Sequence, residues 1–429
     1  MNTSPQMPTE REKHYRELLQ KPTQVLRAGW LLDGRGGPAV TDQIITISHG
    51  RIQSIQPYHP SLTNTADLVD WRHATILPAL MDAHVHLALS GTLDAARRQG
   101  QRQQSAEQTR RHIEAHLLDH QRHGIAAVRD AGDRLGQVRQ IRSRQNPRLH
   151  VAATCWAWHA PGRYGTLIGR TPAPGETLAQ AVARNADNAD HIKLLQSGIN
   201  SLDYFARPTA PQFSQDELAA VSRFARKHGL PVMVHANGVE PVRIALAAGC
   251  NSVEHGYFMG PDNLQHMADH QVFWVPTAVP MAALTGEGVV APHQADVAQR
   301  TLDHQLQQIA TGHRMGVPIA LGTDAGSPGV AHGAAVIREL SLLLEAGLSL
   351  GEAVQCATAY PARIMGLKQR GVLRSGWRAD LLVVPARPDQ LVQHIDSIAA
   401  SCIEGQWRLH GDHNRKGELS RTSVEFPGC

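Results

Sequence analysis

Thr75-Ile76-Leu77-Pro78-Ala79-Leu80-Met81-Asp82-Ala83-His84-Val85-His86 is an apolar run that ends in His-x-His. In a β-strand, residues two apart project from one face, so His84 and His86 can stand together at a strand end. Neutral imidazole is the commonest protein metal ligand, and two in parallel make half of a zinc-type site. Taken alone, the pair fits equally well a structural His beside an exposed one. Ligand-type residues at the ends of later strands decide between the two readings.

Downstream of His86 the texture alternates. A long polar helix is expected over 93–123, then a buried strand from Gly124 to Asp130. Further strands are expected at 149–156, 191–195, 230–235, 252–255, 272–276 and 319–323, and helices at 177–188, 215–228, 239–248, 261–270 and 295–315. Gly229, Gly249 and Gly316 each stand where a helix stops before the next strand. Continuous apolar strands alternating with amphipathic helices mean a parallel sheet. Eight such strands between Thr75 and Asp324 are the number that closes a (β/α)8, TIM-like barrel.

Upstream, the chain reads differently. Residues 24–34 are a strand and turn, and 43–55 two strands around His49-Gly50, a hairpin signal. After helices over 331–367, short strands return at 371–373, 379–384 and 397–409. The fold class expected is α/β: a barrel with a small β-sandwich built from both ends of the chain. The divisions are a polar leader at 1–22 (with a short exposed helix at 10–20), sandwich strands at 23–74, the barrel at 75–368, the rest of the sandwich at 369–412 and a tail at 413–429.

Composition bounds the partners. Charged residues are 19% of the 429 and the formal charge is +4, with no basic block interleaved with aromatics, so nucleic acid is not an expected partner. The 5 Cys are scattered without Cys-x-x-Cys, which points to a reducing compartment rather than a disulfide framework. No apolar leader or membrane-length apolar run is visible, so a cytoplasmic protein without membrane contact is expected, assembled as a homo-oligomer.

Active sites of such barrels sit at the C-terminal ends of the strands. Those positions hold His84 and His86, Lys193, His235, His255 and Asp324. Singly, each has an ordinary structural reading; jointly, they converge on one mouth as a metal site. Lys193 calls for separate chemistry. A protonated ammonium repels a metal ion, but desolvation lowers a lysine pKa. The free amine can then add CO2 to give a carbamate, an anionic two-oxygen group able to bridge two metals.

This set resembles the amidohydrolase superfamily. Leu32-Asp33-Gly34, Asp82-Ala83-His84-Val85-His86, Pro211-Gln212-Phe213-Ser214, Glu254-His255-Gly256, Gly322-Thr323-Asp324 and Ala379-Asp380-Leu381 are similar to its prolidase-like and imidazolonepropionase-related members, in particular binuclear metallo-dipeptidases, carboxypeptidases and ochratoxin-hydrolysing amidases. The resemblance implies two divalent ions, zinc by default with manganese or cobalt as alternatives. His84, His86 and Asp324 would hold the more buried ion and His235 and His255 the more exposed one. Carboxylated Lys193 and a hydroxide would bridge them, with Asp324 as general base and acid. It also implies a substrate-binding, catalytic His after the third strand, here His159. Arg163, Tyr257, Tyr204 and Arg207 are candidates for clamping a substrate carboxylate.

The reaction expected is hydrolysis of an amide bond in a small molecule with a free carboxylate, a dipeptide or N-acyl amino acid. Lactone, phosphotriester or cyclic-amide hydrolysis would use the same site. A one-metal deaminase of the superfamily needs a Glu where this chain has Gly238. A catalytically inactive structural member is the non-enzyme alternative.

Overall fold

The run from Thr75 to His86 does not form one strand. In the computed structural model, which describes residues 10–62, 67–142 and 149–410, it divides at Ala79 between the strands Leu68–Pro78 and Leu80–Val85. Pro78 lacks the N–H that would continue a ladder. Thr75 to Pro78 pair antiparallel with Leu381–Val384, and the chain then enters a parallel sheet at Leu80, beside Ile125. The handover therefore falls at Ala79, whereas the barrel is expected from the sequence to begin at Thr75. All six residues of Leu80–Val85 are buried, as both faces of a parallel strand are.

The chain ends meet in one seven-stranded sheet, in the order Gln406–Leu409, Ala400–Ile403, Leu381–Val384, Leu68–Pro78, Thr23–Leu31, Val40–Ser48, Arg51–Pro57. By hydrogen bonding it is a single continuous sheet where a two-layer sandwich was expected. Residues 371–373 are not a strand in it; Leu373 N–H donates to Asp33 O at 2.9 Å and holds a turn instead. The helix Glu10–Gln20, expected to be exposed, packs on this sheet. Tyr15, Leu18 and Leu19 fall on one face at helical spacing and join the sheet's apolar cluster, and the Tyr15 hydroxyl donates to Asp70 O at 2.8 Å. Residues 1–9 of the expected leader and the tail from 411 lie outside the described residues.

The parallel strands form two further sheets. One contains Leu80–Val85, Ile125–Asp130 and His150–Ala153; the other runs Phe273–Val275, Ser252–His255, Val232–Ala236, Ile192–Leu195, Ala157–Trp158, Gly169–Arg170. The strand expected over 149–156 ends at Ala153, and Ala157–Trp158, just past its expected end, joins the other sheet. Backbone hydrogen bonds join them on both sides. Asp190 N–H donates to Ala153 O at 2.9 Å. On the other side the segment 318–325 makes isolated parallel bridges, Trp274 with Ile319 and Val85 with Ala325, instead of a regular strand. Ala83 N–H donates to Leu321 O at 2.9 Å and Asp324 N–H to His84 O at 2.8 Å. Gly322 makes that approach possible: a Cβ there would lie 2.4 Å from Val275 Cγ1 and 2.8 Å from His84 Cβ.

The polar segment after His86 is two helices, Ala95–Gln101 and Ala106–Arg122, not one. Ser105 starts the second with a capping box: its hydroxyl accepts from Gln108 N–H, and the Gln108 side chain accepts from Ser105 N–H at 2.9 Å. Among the described residues, four Cys are buried and unbridged, and no helix is long and apolar enough to cross a membrane.

Leu18 is 4% exposed against the seven-stranded sheet. Leu18→Ala is expected to cost about 2–3 kcal/mol in equilibrium denaturation, with turnover unchanged; an unchanged denaturation midpoint would mean the helix does not dock.

Candidate active site

His84, Lys193, His235 and His255 lie on parallel strands, His86 just beyond one and Asp324 in the bridged segment 318–325, and all but His84 line one cavity of about 330 Å³. One ligand atom each from His84, His86 and Asp324 lies within 4.8 Å of the others. Asp324 Oδ1 is 3.3 Å from His86 Nε2 and 3.6 Å from His84 Nε2. The His84 and His255 rings are centred 4.8 Å apart, and those of His255 and His235 4.5 Å apart.

Each imidazole is oriented by its outward nitrogen. His84 Nδ1 meets Glu254 Oε2 at 2.8 Å; a carboxylate only accepts, so Nδ1 carries the hydrogen and Nε2 faces the site with a lone pair. His86 Nδ1 donates in the same way to Gly132 O at 3.3 Å, and His235 Nε2 to Gly198 O at 3.1 Å. His255 Nδ1 pairs with Thr277 Oγ1 at 2.7 Å. Such outer partners fix the tautomer and the direction of ligating imidazoles. Burial holds His84 and His255 well below the usual imidazole pKa and His235 down at about 4, so all three are neutral donors.

Two buried atoms lack a hydrogen-bond partner here: His84 Nε2 and Lys193 Nζ. A divalent ion would satisfy the first. Lys193 is 1% exposed, and burial lowers its pKa to about 8 against the pull of Glu254. Roughly a tenth of the amine is then free at neutral pH, far more than for an exposed lysine, and that fraction can react with CO2. For Asp324, burial acts upward, but the His86 hydrogen bond and the neighbouring imidazoles outweigh it and hold the carboxyl below its usual range. Ser327 Oγ–H donates to its Oδ2 at 2.7 Å. The donor set fits one or two divalent ions.

His255, Thr277 and Asp324 have φ of 66°, 45° and 56°. Left-handed backbone at a non-glycine residue costs on the order of 1–3 kcal/mol and gathers at functional sites.

Beneath the imidazoles lies a layer that sequence reasoning missed. Glu254 accepts from Arg129 Nη2 at 2.8 Å and from Ser252 Oγ at 2.5 Å; Arg129 Nε donates to Ala83 O at 2.7 Å. The only sequence signal was a pair of ionisable residues, Arg129 and Glu254, inside apolar strands.

The expected substrate residues fare differently. Tyr257 lines the cavity, with its hydroxyl donating to Thr277 O at 2.8 Å. His159 does not: it is 2% exposed, and its ring packs against Gly165, where a Cβ would lie 2.6 Å away. The chain folds back at that glycine and turns Tyr164 to the cavity instead, its ring 5.5 Å from that of His235. Arg163 is exposed and donates to Ala210 O at 2.7 Å. Tyr204 is 61% exposed, and Arg207 stacks over its ring and lines a separate groove with Asn200 and Pro208. Gln212 ties the segment after Ile192–Leu195 to its neighbours, donating to Ser197 O at 3.0 Å and Tyr164 O at 3.1 Å. Arg98 and Arg102, which also line the cavity, carried no strand-end signal; Asn237, just past the strand Val232–Ala236, lines it too.

The Amidohydrolase family model matches residues 75–407. The chain belongs to the amidohydrolase family. Ochratoxinase of Aspergillus niger is 30% identical over 204 residues, 46% of this chain and 41% of that protein. Imidazolonepropionase of Paracoccus denitrificans is 31% identical over 206 residues, 46% of each. The chain thus spans less than half the length of these two relatives. A solved Xaa-Pro dipeptidase with methionine bound in its active site has a TM-score of 0.76 at 25% identity, covering 90% of this chain and 100% of that one. These likenesses place this amidohydrolase in the prolidase- and imidazolonepropionase-related branch. They also give its architecture, a TIM barrel with an added domain.

Thr277→Val removes the partner of His255 Nδ1 at nearly constant volume. Affinity for a divalent ion, measured by chelator competition, is expected to fall about 10- to 100-fold; unchanged affinity would mean His255 takes no part.

Proposed function

We propose that this amidohydrolase cleaves the amide bond of a dipeptide or N-acyl amino acid, with divalent ions held by His84, His86, Asp324, His235 and His255 and by carboxylated Lys193. The carrying observation is the unpartnered, fully buried Lys193 amine in one cavity with the strand-end imidazoles and Asp324. Two sheets joined by backbone hydrogen bonds on either side support reading the parallel strands as one closed (β/α)8 barrel.

Divalent ions bound there would lower the pKa of water and polarise a carbonyl. Zinc suits the imidazole-rich set. Lys193 adds CO2 at Nζ, forming an N–C bond and releasing one proton. Asp324 is the proton carrier. One oxygen, Oδ2, is held by Ser327, and the other stands toward His86 and His84. As water attacks the carbonyl carbon, Asp324 takes one of its protons; as the C–N bond breaks, Asp324 returns that proton to the departing nitrogen. The products are a carboxylic acid and an amine. Tyr164 and Tyr257 flank the reacting end, and Leu89, Leu195 and Met281 keep the wall apolar. His159, buried behind Tyr164, would support that loop rather than touch substrate.

Cyclic-amide hydrolysis is the second reading, favoured by the 31% identity to imidazolonepropionase. A library of dipeptides, N-acyl amino acids, lactones and imidazolones, assayed with metal analysis, separates the readings. Turnover of linear amides is expected; turnover of only a lactone or an imidazolone would overturn the proposal. Lys193→Ala is expected to reduce two bound metals to one or none by elemental analysis. Two metals retained would remove Lys193 from the bridge. Asp324→Asn is expected to lower kcat by about 100-fold or more, since a positioned acid–base group contributes about 10²–10⁴-fold; near-normal kcat would exclude it as the proton carrier.

A further inference from the structure

The cavity carries an uneven charge. Its one acidic lining residue among the described residues is Asp324, already placed among the candidate ligands, whereas Arg98 and Arg102 line it as well as Lys193. Both arginines come from the helix Ala95–Gln101 and its C-cap, after the first barrel strand. They are four residues apart, so their side chains lie over one another on one face.

Other arginines of this region are paired. Arg97 lies 3.6 Å from Asp94, Arg111 3.2 Å from Glu107, and Arg122 2.9 Å from Asp119. Those facing the cavity are not. Arg98 makes one long contact, Nη1 to Thr92 O at 3.5 Å, and the Arg102 guanidinium has no hydrogen-bond or ion-pair partner among the described residues. Arg98 is half-buried, and that burial lowers its pKa against the pull of Asp324 and Tyr164. Desolvating the Arg98 guanidinium without an anion is unfavourable, and Arg102 stands exposed beside it at the cavity. The same cavity is lined by the apolar side chains of Leu167, Ile199, Leu202, Met281 and Leu284. Of the carboxylate candidates named from the sequence, Arg163, Tyr204 and Arg207 do not line this cavity; Tyr257 does, with its hydroxyl donating to Thr277 O.

We propose that Arg98 and Arg102 form the carboxylate subsite of this cavity, taking the free carboxylate of an N-acyl amino acid whose apolar side chain lies against Leu167, Ile199 and Leu284. The placement rests on the amide-hydrolase reading above. A guanidinium fork matches a carboxylate with two parallel hydrogen bonds, which aligns the substrate as well as attracting it. With the acid held at the rim, the amide lies toward Asp324 and Lys193. The cations therefore select linear substrates that end in an acid over their neutral counterparts.

The test compares release of acetate from N-acetyl-L-phenylalanine and from its neutral primary carboxamide by the metal-loaded protein. In Arg98→Met, Arg102→Met and the double variant, the ratio of kcat/KM for acid over carboxamide is expected to fall about 10- to 100-fold, mainly through KM. In Arg97→Met, on the same helix but paired with Asp94, the ratio stays as in the wild type. An unchanged ratio in the double variant overturns the proposal, and so does an equal fall for both compounds, which would mean the arginines only shape the loop. A second readout is independent of turnover: calorimetric binding of 3-phenylpropanoate and of 3-phenylpropanamide. The acid is expected to bind the wild type and to weaken at least tenfold in the double variant, with the amide unaffected. If the wild type binds the acid in this way but hydrolyses neither acetyl compound, the amide-hydrolase reading fails and the carboxylate subsite stands. If the acid binds wild type and double variant alike, or neither, the subsite fails whatever the turnover.

Discussion

Glu254 is fully buried and accepts hydrogen bonds from His84, Arg129 and Ser252. Much of the site depends on that one carboxylate. It fixes the His84 tautomer, so that Nε2 faces the cavity. It neutralises Arg129, whose guanidinium also ties down the Ala83 carbonyl and hence the first barrel strand. Breaking a buried ion pair by removing one partner costs about 3–5 kcal/mol, because the other charge stays uncompensated. Here the loss would fall on a strand that carries two of the candidate ligands. Stability of the barrel interior and orientation of the site are therefore one interaction rather than two.

The same economy recurs around the rim. Asp82 accepts from Thr323 and from the His84 N–H, which joins the strand of the first two imidazoles to the segment bearing Asp324. That segment has no regular ladder, and Gly322 lets it pass against His84. Where a ladder is missing, side-chain carboxylates and a glycine supply the register. Left-handed residues at His255, Thr277 and Asp324 then turn the chain sharply as it leaves the strands. Each aims a side chain inward that a straight continuation would carry past the mouth.

Above this rigid floor the walls come from loops and a short helix. Tyr164 reaches the cavity because Gly165 permits a fold-back over His159, and Arg98 and Arg102 reach it from the helix after the first strand. The floor thus holds the candidate ligands, and the walls are built from the connections between strands. This division follows from packing: strands buried on both faces tolerate little change, whereas surface connections vary freely.

The strand-end residues were legible in the sequence because packing alone seldom ends an apolar β-run at His, Lys or Asp, and the strand period says which way each side chain points. His84, His86, Lys193, His235, His255 and Asp324 were all readable on that ground. The handover at Ala79, the early end of the strand after Leu149, the single sheet made by both chain ends and the docking of Tyr15 and Leu18 were not, because each depends on a partner far away in the chain. For the same reason His159 was placed at the substrate and Tyr164 was passed over: spacing along a loop carries no period, so only the fold-back at Gly165 decides which ring faces inward. By itself the sequence determined the alternating architecture and singled out the ligand-type residues that share the site, through local periodicity and residue chemistry. Only the tertiary structure decided which residues wall the cavity and which carboxylate orients His84, since a hydrogen bond between residues 170 positions apart leaves no local pattern to read.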